Sequence, residues 1–307
     1  MSMETGVTSA ITAIRSLLFV PGNQPGMLDK AMGLKPDAFL PDLEDSVPAD
    51  EKTNARKVTA ARIAGLAAAG AKVIPRVNSM DTGIMEEDLA AVVGPDIYGV
   101  SVGKIYTADD IRKISGILSE LERRAGLQDG HVKLLPWIET AMAVAHAYEV
   151  SAASPRIMGV AFGAEDFTND MGVERTEDEQ ETIYARSAIG VAARAAGVLA
   201  LDTPFFSFRD PDGLRANAQD AKKYGFKGKF AIHPAQIDII NETFSPSLTE
   251  IEYARRVVAA FEEAERIGRG STSLDGKVID VPVVKRAQAL LLSAEAMGVS
   301  AGLGNSS

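Results

Sequence analysis

The sequence has no cysteine, and its 307 residues include only three histidines, at positions 131, 146 and 233. The lack of cysteine excludes disulfides, thiolate metal sites and a cysteine nucleophile. Three histidines scattered in this way do not form the ligand set of a zinc site.

The sequence also lacks an excess of basic residues and a long apolar run. Its formal net charge is −10, so it lacks the excess of basic residues that is typical of nucleic-acid-binding proteins. An acidic substrate would therefore have to bind to individual basic side chains or to a metal ion in the site. No apolar run is long enough to span a bilayer, and the first residues lack the pattern of a secretory signal. We therefore expect a cytoplasmic protein without nucleic-acid or membrane partners.

Eight short apolar runs, rich in branched residues, alternate with helical segments. This alternation predicts a (β/α)₈ barrel, with a doubly wound open sheet as the competing fold. The sequence lacks the motifs of nucleotide-binding open sheets, since no GxGxxG follows the first run and no GxxxxGK[ST] occurs anywhere. The runs are Arg15–Gly22, Ala38–Val47, Ala71–Asn78, Ile97–Ile105, Lys133–Ile138, Ile157–Phe162, Val198–Phe206 and Gly228–Pro234.

Two neighbouring runs each lead to a carboxylate. Glu139 follows Lys133–Ile138, Asp166 follows Ile157–Phe162, and an Ala-rich segment that predicts a helix lies between them. Both acids should therefore lie at the C-terminal edge of the sheet, where paired carboxylates suit Mg²⁺. Alternatively, either acid is only a helix N-cap or first-turn residue, favoured there by the helix dipole.

Other polar residues at the ends of the runs should join these acids at the mouth of the barrel. A metal beside an arginine fork polarises a carbonyl next to a carboxylate, which indicates an enzyme that acts on a small keto or hydroxy acid. The candidates are Arg15, Glu44, Asp45, Arg76, Lys104 and His233.

Each candidate also has a structural interpretation. Arg76 could pair with Glu44 inside the barrel, Lys104 could be an ion-pair partner, and His233 could cap a turn. The acidic run Glu174–Glu181 is typical of a solvated helix start. Two further acids, Asp42 and Asp202, could serve as structural hydrogen-bond acceptors.

The barrel should occupy residues 1–245, and residues 246–307 should form a C-terminal helical arm. Within the arm, Leu248–Ile267 predicts an amphipathic helix, and the Gly/Ser-rich segment Gly268–Gly276 predicts a flexible linker. A short extended piece with Asp280 and a final helix, Val284–Met297, follow. A helix pair joined in this way is suited to reach a neighbouring subunit.

The chain contains an ordered set of motifs from about Arg15 to about Met297. Together they resemble the citrate lyase beta-subunit-like family of carbon–carbon lyases, which includes malyl-CoA and citramalyl-CoA lyases and belongs to the superfamily of hydroxy-keto-acid aldolases. The motifs are RSLLFVPG, DLEDSV, RVN, the ET of WIET, GAEDFTNDMG, YARSAI, GFKGKFAIHPAQI and VIDVPVVKRA.

The resemblance implies a (β/α)₈ barrel that forms trimers or hexamers, with Mg²⁺ held by Glu139 and Asp166. It implies that Arg76 contacts the keto acid or its oxyanion and that Arg15 lies near the thioester or nucleotide part of the substrate. It also implies that Asp280 is the catalytic acid/base and enters the site of an adjacent subunit.

Glu44 and Lys104 are expected to line the substrate site. One departure is visible at Lys104, because the LPK found in relatives is VGK here and Gly103 replaces the proline. The placement of the backbone near Lys104 therefore cannot be carried over from the relatives.

The resulting hypothesis is a Mg²⁺-dependent lyase that cleaves a citramalyl-CoA or malyl-CoA type thioester to acetyl-CoA and an α-keto acid. The alternatives are a citrate lyase beta subunit acting on a citryl group on an acyl-carrier protein, an aldolase without a thioester, a thioesterase, and a non-catalytic barrel. A methyl group separates pyruvate from glyoxylate, and the sequence does not choose between them.

Overall fold

The computed structural model describes residues 13–299. These residues divide into two compact units, one of residues 14–241 and one of residues 242–299 together with residue 13. Within 13–299, no helix combines the length and the apolar character needed to cross a membrane.

The larger unit is a closed barrel of eight parallel strand positions. Neighbouring strands pair in chain order around the sheet, and pairing of the first strand with both the second and the last closes it. The prediction of a (β/α)₈ barrel is therefore confirmed. The strands are β1 Ser16–Pro21, β2 Ala38–Asp42, β3 Lys72–Val73, β4 Arg76–Val77, β5 Gly99–Val102, β6 Lys133–Ile138, β7 Gly159–Phe162, β8 Leu199–Asp202 and β9 Gly228–Ala231. Here β3 and β4 are two parts of one interrupted strand, and both pair with β2.

Alternate residues of the strands form a hydrophobic core that includes three stacked aromatic rings. The ring centroids of Trp137 and Phe230 are 4.4 Å apart, and Phe19 lies 5.4 Å from Phe230 and 5.9 Å from Trp137. Offset aromatic stacks of this kind bury large areas and fix ring positions. This packing gives the polar groups above it a rigid base.

The helices of this unit follow the strands in the expected alternation. They are α1 Pro25–Ala31, α2 Lys52–Ala60, α3 Ile63–Ala68, α4 Met85–Val92, α5 Ala108–Arg124, α6 Ala141–Ala145, α7 Ala147–Ser151, α8 Ala164–Met171, α9 Ile183–Ala196, α10 Pro211–Lys223 and α11 Gln236–Phe244. The chain passes from the first unit to the second within α11. The helix expected after β6 is divided at His146, which ends α6 and precedes α7.

The second unit contains α12 Leu248–Arg266, strands β10 Thr272–Leu274 and β11 Lys277–Ile279, and α13 Val281–Ala296. The prediction of a flexible linker over Gly268–Gly276 is wrong for its second half. The strands β10 and β11 form an antiparallel hairpin whose turn, Asp275-Gly276, has positive φ at both residues. Asp-Gly is favoured in such two-residue turns, and Arg256 of α12 forms an ion pair with Asp275 at 2.7 Å.

Candidate active site

Glu139 follows β6 and is buried at the C-terminal end of the barrel. Its Oε1 accepts a hydrogen bond from the Lys104 backbone N–H at 2.6 Å. Two glycines make room for its carboxylate: a Cβ on Gly163 would lie 2.3 Å from Oε2, and one on Gly103 would lie 3.0 Å from Oε1. Burial, reinforced by the charge of Asp166, raises the pKa of Glu139 to about 8. Glu139 is not a helix cap, because Thr140 caps α6.

Asp166 lies in the first turn of α8, directly after β7, and is half-buried. The start of α8 is fixed by Thr203, whose Oγ1 accepts from the Ala164 N–H at 3.2 Å. Burial and the charge of Asp45 raise the pKa of Asp166. Because Asp166 also contributes to the raised pKa of Glu139, the two acids act electrostatically as neighbours.

Glu44 is a third buried acid at this mouth. It is 5% exposed, and among residues 13–299 its Oε1 has no hydrogen-bond partner. The Lys104 ammonium lies 3.8 Å from that oxygen, which is an ion-pair distance but too long for a hydrogen bond. Burial raises the pKa of Glu44 to about 7, with further contributions from the charges of Asp45 and Asp42.

The loop that carries Glu44 is held by two other residues. Asp42 Oδ1 accepts from the Glu44 N–H at 2.9 Å, and the Lys52 ammonium donates to the carbonyls of Leu43 and Glu44 at 2.8 and 2.6 Å. Asp42 was predicted to be a structural acceptor, and this part of the prediction is confirmed. Lys52 was missed, because its position in α2 gives no sign that it reaches back to the end of β2.

Arg76 lies directly opposite Asp42 in the parallel pairing of β4 with β2. Its Nε and Nη2 both donate to the Asp42 carboxylate at 2.7 Å, and its Nη1 donates to Asp45 at 2.8 Å. The ion pair with Glu44, which the sequence suggested, is longer, at 3.4 Å. Burial alone would lower the pKa of Arg76, but the charge and hydrogen bonds of Asp42 raise it above its ordinary value.

Lys104 follows β5 and has a φ of +52°, which is uncommon for a residue other than glycine. This conformation directs its N–H to Glu139 while its ammonium lies beside Glu44. The residue therefore connects two of the buried acids. The absence of a side chain at Gly103 leaves room for both acids, since a Cβ there would lie 3.0 Å from oxygens of both Glu44 and Glu139.

The prediction that Arg15 joins the mouth is wrong. Arg15 precedes β1, and its guanidinium pairs with Asp37, which precedes β2, at 2.8 Å. Both residues therefore lie at the N-terminal end of the barrel, opposite the three acids. A residue before a parallel strand faces the other end of the barrel from one that follows it, and this rule could have identified the error from the sequence.

Asp280 lies in the second unit and not among the barrel residues. It is the N-cap of α13, where its side chain accepts from the Val283 N–H at 3.2 Å. His233 follows β9, accepts from the Ala235 N–H at 3.2 Å and stacks on Phe208 at 5.0 Å. The interpretation of His233 as a turn-capping residue is confirmed.

A second ionic network lies apart from the three acids. Asp202 accepts from Arg186 at 3.0 Å and from the fully buried Lys229, which confirms it as a structural acceptor. Glu179 is only 7% exposed and pairs with Arg186 at 2.6 Å and with Arg175. The prediction that Glu174–Glu181 is a solvated helix start is therefore wrong for Glu179.

A cavity of about 540 Å³ opens beside Glu44 and Lys104. Its wall combines charged groups, hydroxyl groups and apolar side chains. The lining residues are Glu44, Asp45, Val47, Ala49, Lys52, Thr53, Arg56, Asn78, Thr82, Ile84, Glu87 and Lys104. A substrate larger than a keto acid therefore has space next to the carboxylates.

The site combines two buried acids, Glu44 and Glu139, with the half-buried Asp166, and all three have raised pKa values. With only one fixed arginine beside them, these acids favour the binding of a further positive charge. Residues 15–234 match the model of the HpcH/HpaI aldolase/citrate lyase family. The chain belongs to this family. Its membership confirms the resemblance found in the sequence motifs and identifies the chain as an enzyme of the aldolase/citrate lyase type.

Relatives in the HpcH/HpaI family extend the match over nearly the whole chain. A citrate lyase subunit beta from Leuconostoc mesenteroides subsp. cremoris is 36% identical over 282 residues, covering 92% of this chain and 93% of the relative. A (3S)-malyl-CoA thioesterase from Cereibacter sphaeroides is 38% identical over 288 residues, covering 92% and 95%.

A solved structure of the same type is similar in both sequence and fold. It is the protein CitE from Mycobacterium tuberculosis in complex with magnesium, acetoacetate and coenzyme A. It is 29% identical to this chain, has a TM-score of 0.76, and the match covers 93% of this chain and 99% of that one.

Proposed function

We propose that the protein is a Mg²⁺-dependent carbon–carbon lyase that cleaves a citramalyl-CoA or malyl-CoA type thioester to acetyl-CoA and an α-keto acid. The observation that carries this proposal is the convergence of Glu139, Asp166 and Glu44 with Arg76 at one end of the barrel. The magnesium and coenzyme A bound by the M. tuberculosis protein support the choice of cofactor and substrate class.

The residues at this site fit a hard divalent cation. A metal bound by Glu139 and Asp166 would offset the burial and the neighbouring negative charges that raise the pKa values of these acids. Glu44 Oε1, which has no hydrogen-bond partner among residues 13–299, would remain available as an acceptor beside it. Mg²⁺ held there supplies Lewis-acid polarisation of the oxygen on the carbon that becomes the keto carbon.

The chain's own residues supply the rest of the chemistry. Arg76 donates to the carboxylate of the keto acid or to the oxygen that becomes its carbonyl, which stabilises the negative charge that develops there. The substrate hydroxyl group gives its proton to solvent, and the bond between the hydroxyl-bearing carbon and the α-carbon of the thioester breaks. The α-carbon then gains a proton from Asp280 and becomes the methyl group of acetyl-CoA. We assign Asp280 to the site of a neighbouring subunit in a homotrimer or hexamer. Glu44 and Lys104 line the cavity for the acyl half.

A coupled assay tests this proposal. Purified protein with Mg²⁺ is offered citramalyl-CoA and malyl-CoA, and the release of pyruvate or glyoxylate is measured together with acetyl-CoA. We expect cleavage that EDTA abolishes and that Glu139→Gln lacks. Release of free coenzyme A with intact malate or citramalate would instead establish a thioesterase. Cleavage only of a citryl thioester on a carrier protein would establish a citrate lyase beta subunit.

A further inference from the structure

The guanidinium of Arg76 is held along one edge by a single carboxylate. Nε and Nη2 donate to the two oxygens of Asp42, each at 2.7 Å, and Asp42 is only 1% exposed. Paired, parallel contacts of this kind fix the plane and the direction of a guanidinium. The register of β2 and β4, which places the two residues opposite each other, builds this contact into the barrel wall.

Two aromatic rings lie close to the same guanidinium. Its central carbon lies 4.7 Å from the ring centroid of Phe19 and 5.9 Å from that of Trp137. The Trp137 ring is fixed in turn by a hydrogen bond from Nε1 to Ser101 Oγ at 2.7 Å. Arginine stacks well on such faces, and lysine would not make the same contact.

These contacts leave Nη1 as the nitrogen that faces the mouth. It donates to Asp45, whose side chain is 57% exposed, and lies 3.4 Å from Glu44. An exposed acid is easily displaced by a substrate carboxylate, whereas the buried Asp42 is not. The direction in which Arg76 presents Nη1 is therefore set by the groups behind it.

We propose that Asp42, Phe19 and Trp137 form a guanidinium cradle and that Asp42 is a positioning residue for Arg76. This inference deepens the proposed function and rests on it for its kinetic consequences. The structural alternative is that Asp42 serves only its own turn, since it also accepts from the N–H groups of Glu44 and Ser46. The test must separate these two roles.

The first measurement requires no substrate. In Arg76→Ala the cradle keeps Asp42 and both rings but lacks its guanidinium. We expect guanidinium chloride at millimolar concentration to bind this variant saturably in calorimetry and to raise its Tm, relative to sodium chloride at equal ionic strength. The wild-type protein and the double variant Asp42→Asn/Arg76→Ala should show neither effect.

Absence of saturable guanidinium binding to Arg76→Ala would overturn the cradle. Equal binding to Arg76→Ala and to the double variant would overturn the role of Asp42. If the double variant does not fold, Phe19→Leu/Arg76→Ala replaces it, because loss of one ring face should weaken the binding. These results are independent of any lyase activity, so they distinguish failure of the cradle from failure of the proposed reaction.

The second measurement is a double-mutant cycle on kcat/KM. Asp42→Asn should lower kcat/KM on the order of a hundredfold in the wild-type background and have no further effect in the Arg76→Ala background. Magnesium affinity should be unchanged. The matched control is Asp37→Asn, which removes the paired acid of Arg15 at the opposite end of the barrel, before β1 and β2, and should leave kcat/KM unchanged. Additive effects of Asp42→Asn and Arg76→Ala would show that Asp42 does not act through Arg76.

Discussion

Two glycines determine how close the acids of the mouth can approach one another. The Glu139 carboxylate lies between Gly163 and Gly103, and the position that a Cβ on Gly103 would take is also 3.0 Å from Glu44. A methyl group at position 103 would therefore force two carboxylates away from a common point.

Gly103→Ala should accordingly weaken magnesium binding. We expect a loss of about ten- to a hundredfold, the range typical of changes to groups that orient metal ligands, without loss of the fold. Calorimetric titration with Mg²⁺ measures it. The matched control is Gly116→Ala in α5, where an added Cβ meets nothing within 4 Å. Equal magnesium affinity in both variants would contradict the role assigned to Gly103.

The positions of Glu139, Asp166 and Arg76 could be predicted from the sequence because each lies near the C-terminal end of a strand position in a regular barrel. Glu139 and Asp166 follow β6 and β7, and Arg76 lies on β4, the second part of an interrupted strand. The partner of Arg76 could not be chosen, since three acids lie within four residues of one another at positions 42, 44 and 45. Only the strand register selects Asp42. Because Asp42 is buried, its ion pair with Arg76 is shielded from water and holds the guanidinium in one position.

At the scale of elements, the strands were easier to predict than the helices. The run Lys133–Ile138 agrees with β6 at both ends, because a parallel strand buried on both faces is a continuous apolar run. The Ala-rich sequence from Glu51 to Ala69 predicts one long helix, and this prediction is wrong, because the structure divides the segment into α2 and α3. The second piece lies against Met32, whose Cε is 2.7 Å from the place of a Cβ on Gly65, and this tertiary contact is invisible to local periodicity.

The ionic network of Glu179 joins several elements through buried charges. Glu179 precedes α9, Arg186 lies on α9, and Asp202 ends β8. Burial favours the neutral acid, yet the charges of Arg186 and Arg175 lower the pKa of Glu179 to about 2. Its contribution to stability is therefore present above about pH 4.5 and is lost as the pH falls toward 2.

Glu179→Gln should destabilise the protein by about 3 kcal/mol at pH 7, because it removes one of the carboxylates that balance the buried charges of Arg186 and Arg175. The difference between variant and wild type should shrink as the pH falls from 4.5. Urea unfolding at several pH values measures it, with the exposed Glu177→Gln as the control from the same acidic run. A difference that persists undiminished at pH 3 would contradict the assignment.

At the scale of the whole molecule, the proposed reaction requires Asp280, which belongs to a different compact unit from the metal-binding acids. The assignment of this residue to a neighbouring subunit has a direct test. Asp280→Asn and Glu139→Gln should each be inactive, with turnover of Asp280→Asn lowered by about two to four powers of ten.

Mixed oligomers of these two variants should regain activity. Random assembly of equal amounts gives about a quarter of the sites both an intact barrel and an intact Asp280 from another chain. The variants are co-expressed with different tags, purified through both tags and assayed. If Asp280 served the barrel of its own chain, no mixed site would be complete and the activity would stay at the level of the single variants.

The hairpin of β10 and β11 lowers the conformational entropy that would be lost when Asp280 is presented to a neighbouring site. A freely flexible linker before Asp280 would have to be ordered each time the carboxylate was presented, at a cost that grows with every residue immobilised. Here the Asp275-Gly276 turn, its ion pair with Arg256 and the cap of α13 order that stretch when the chain folds. The conformational entropy is therefore lost once, during folding, and not again in each catalytic cycle.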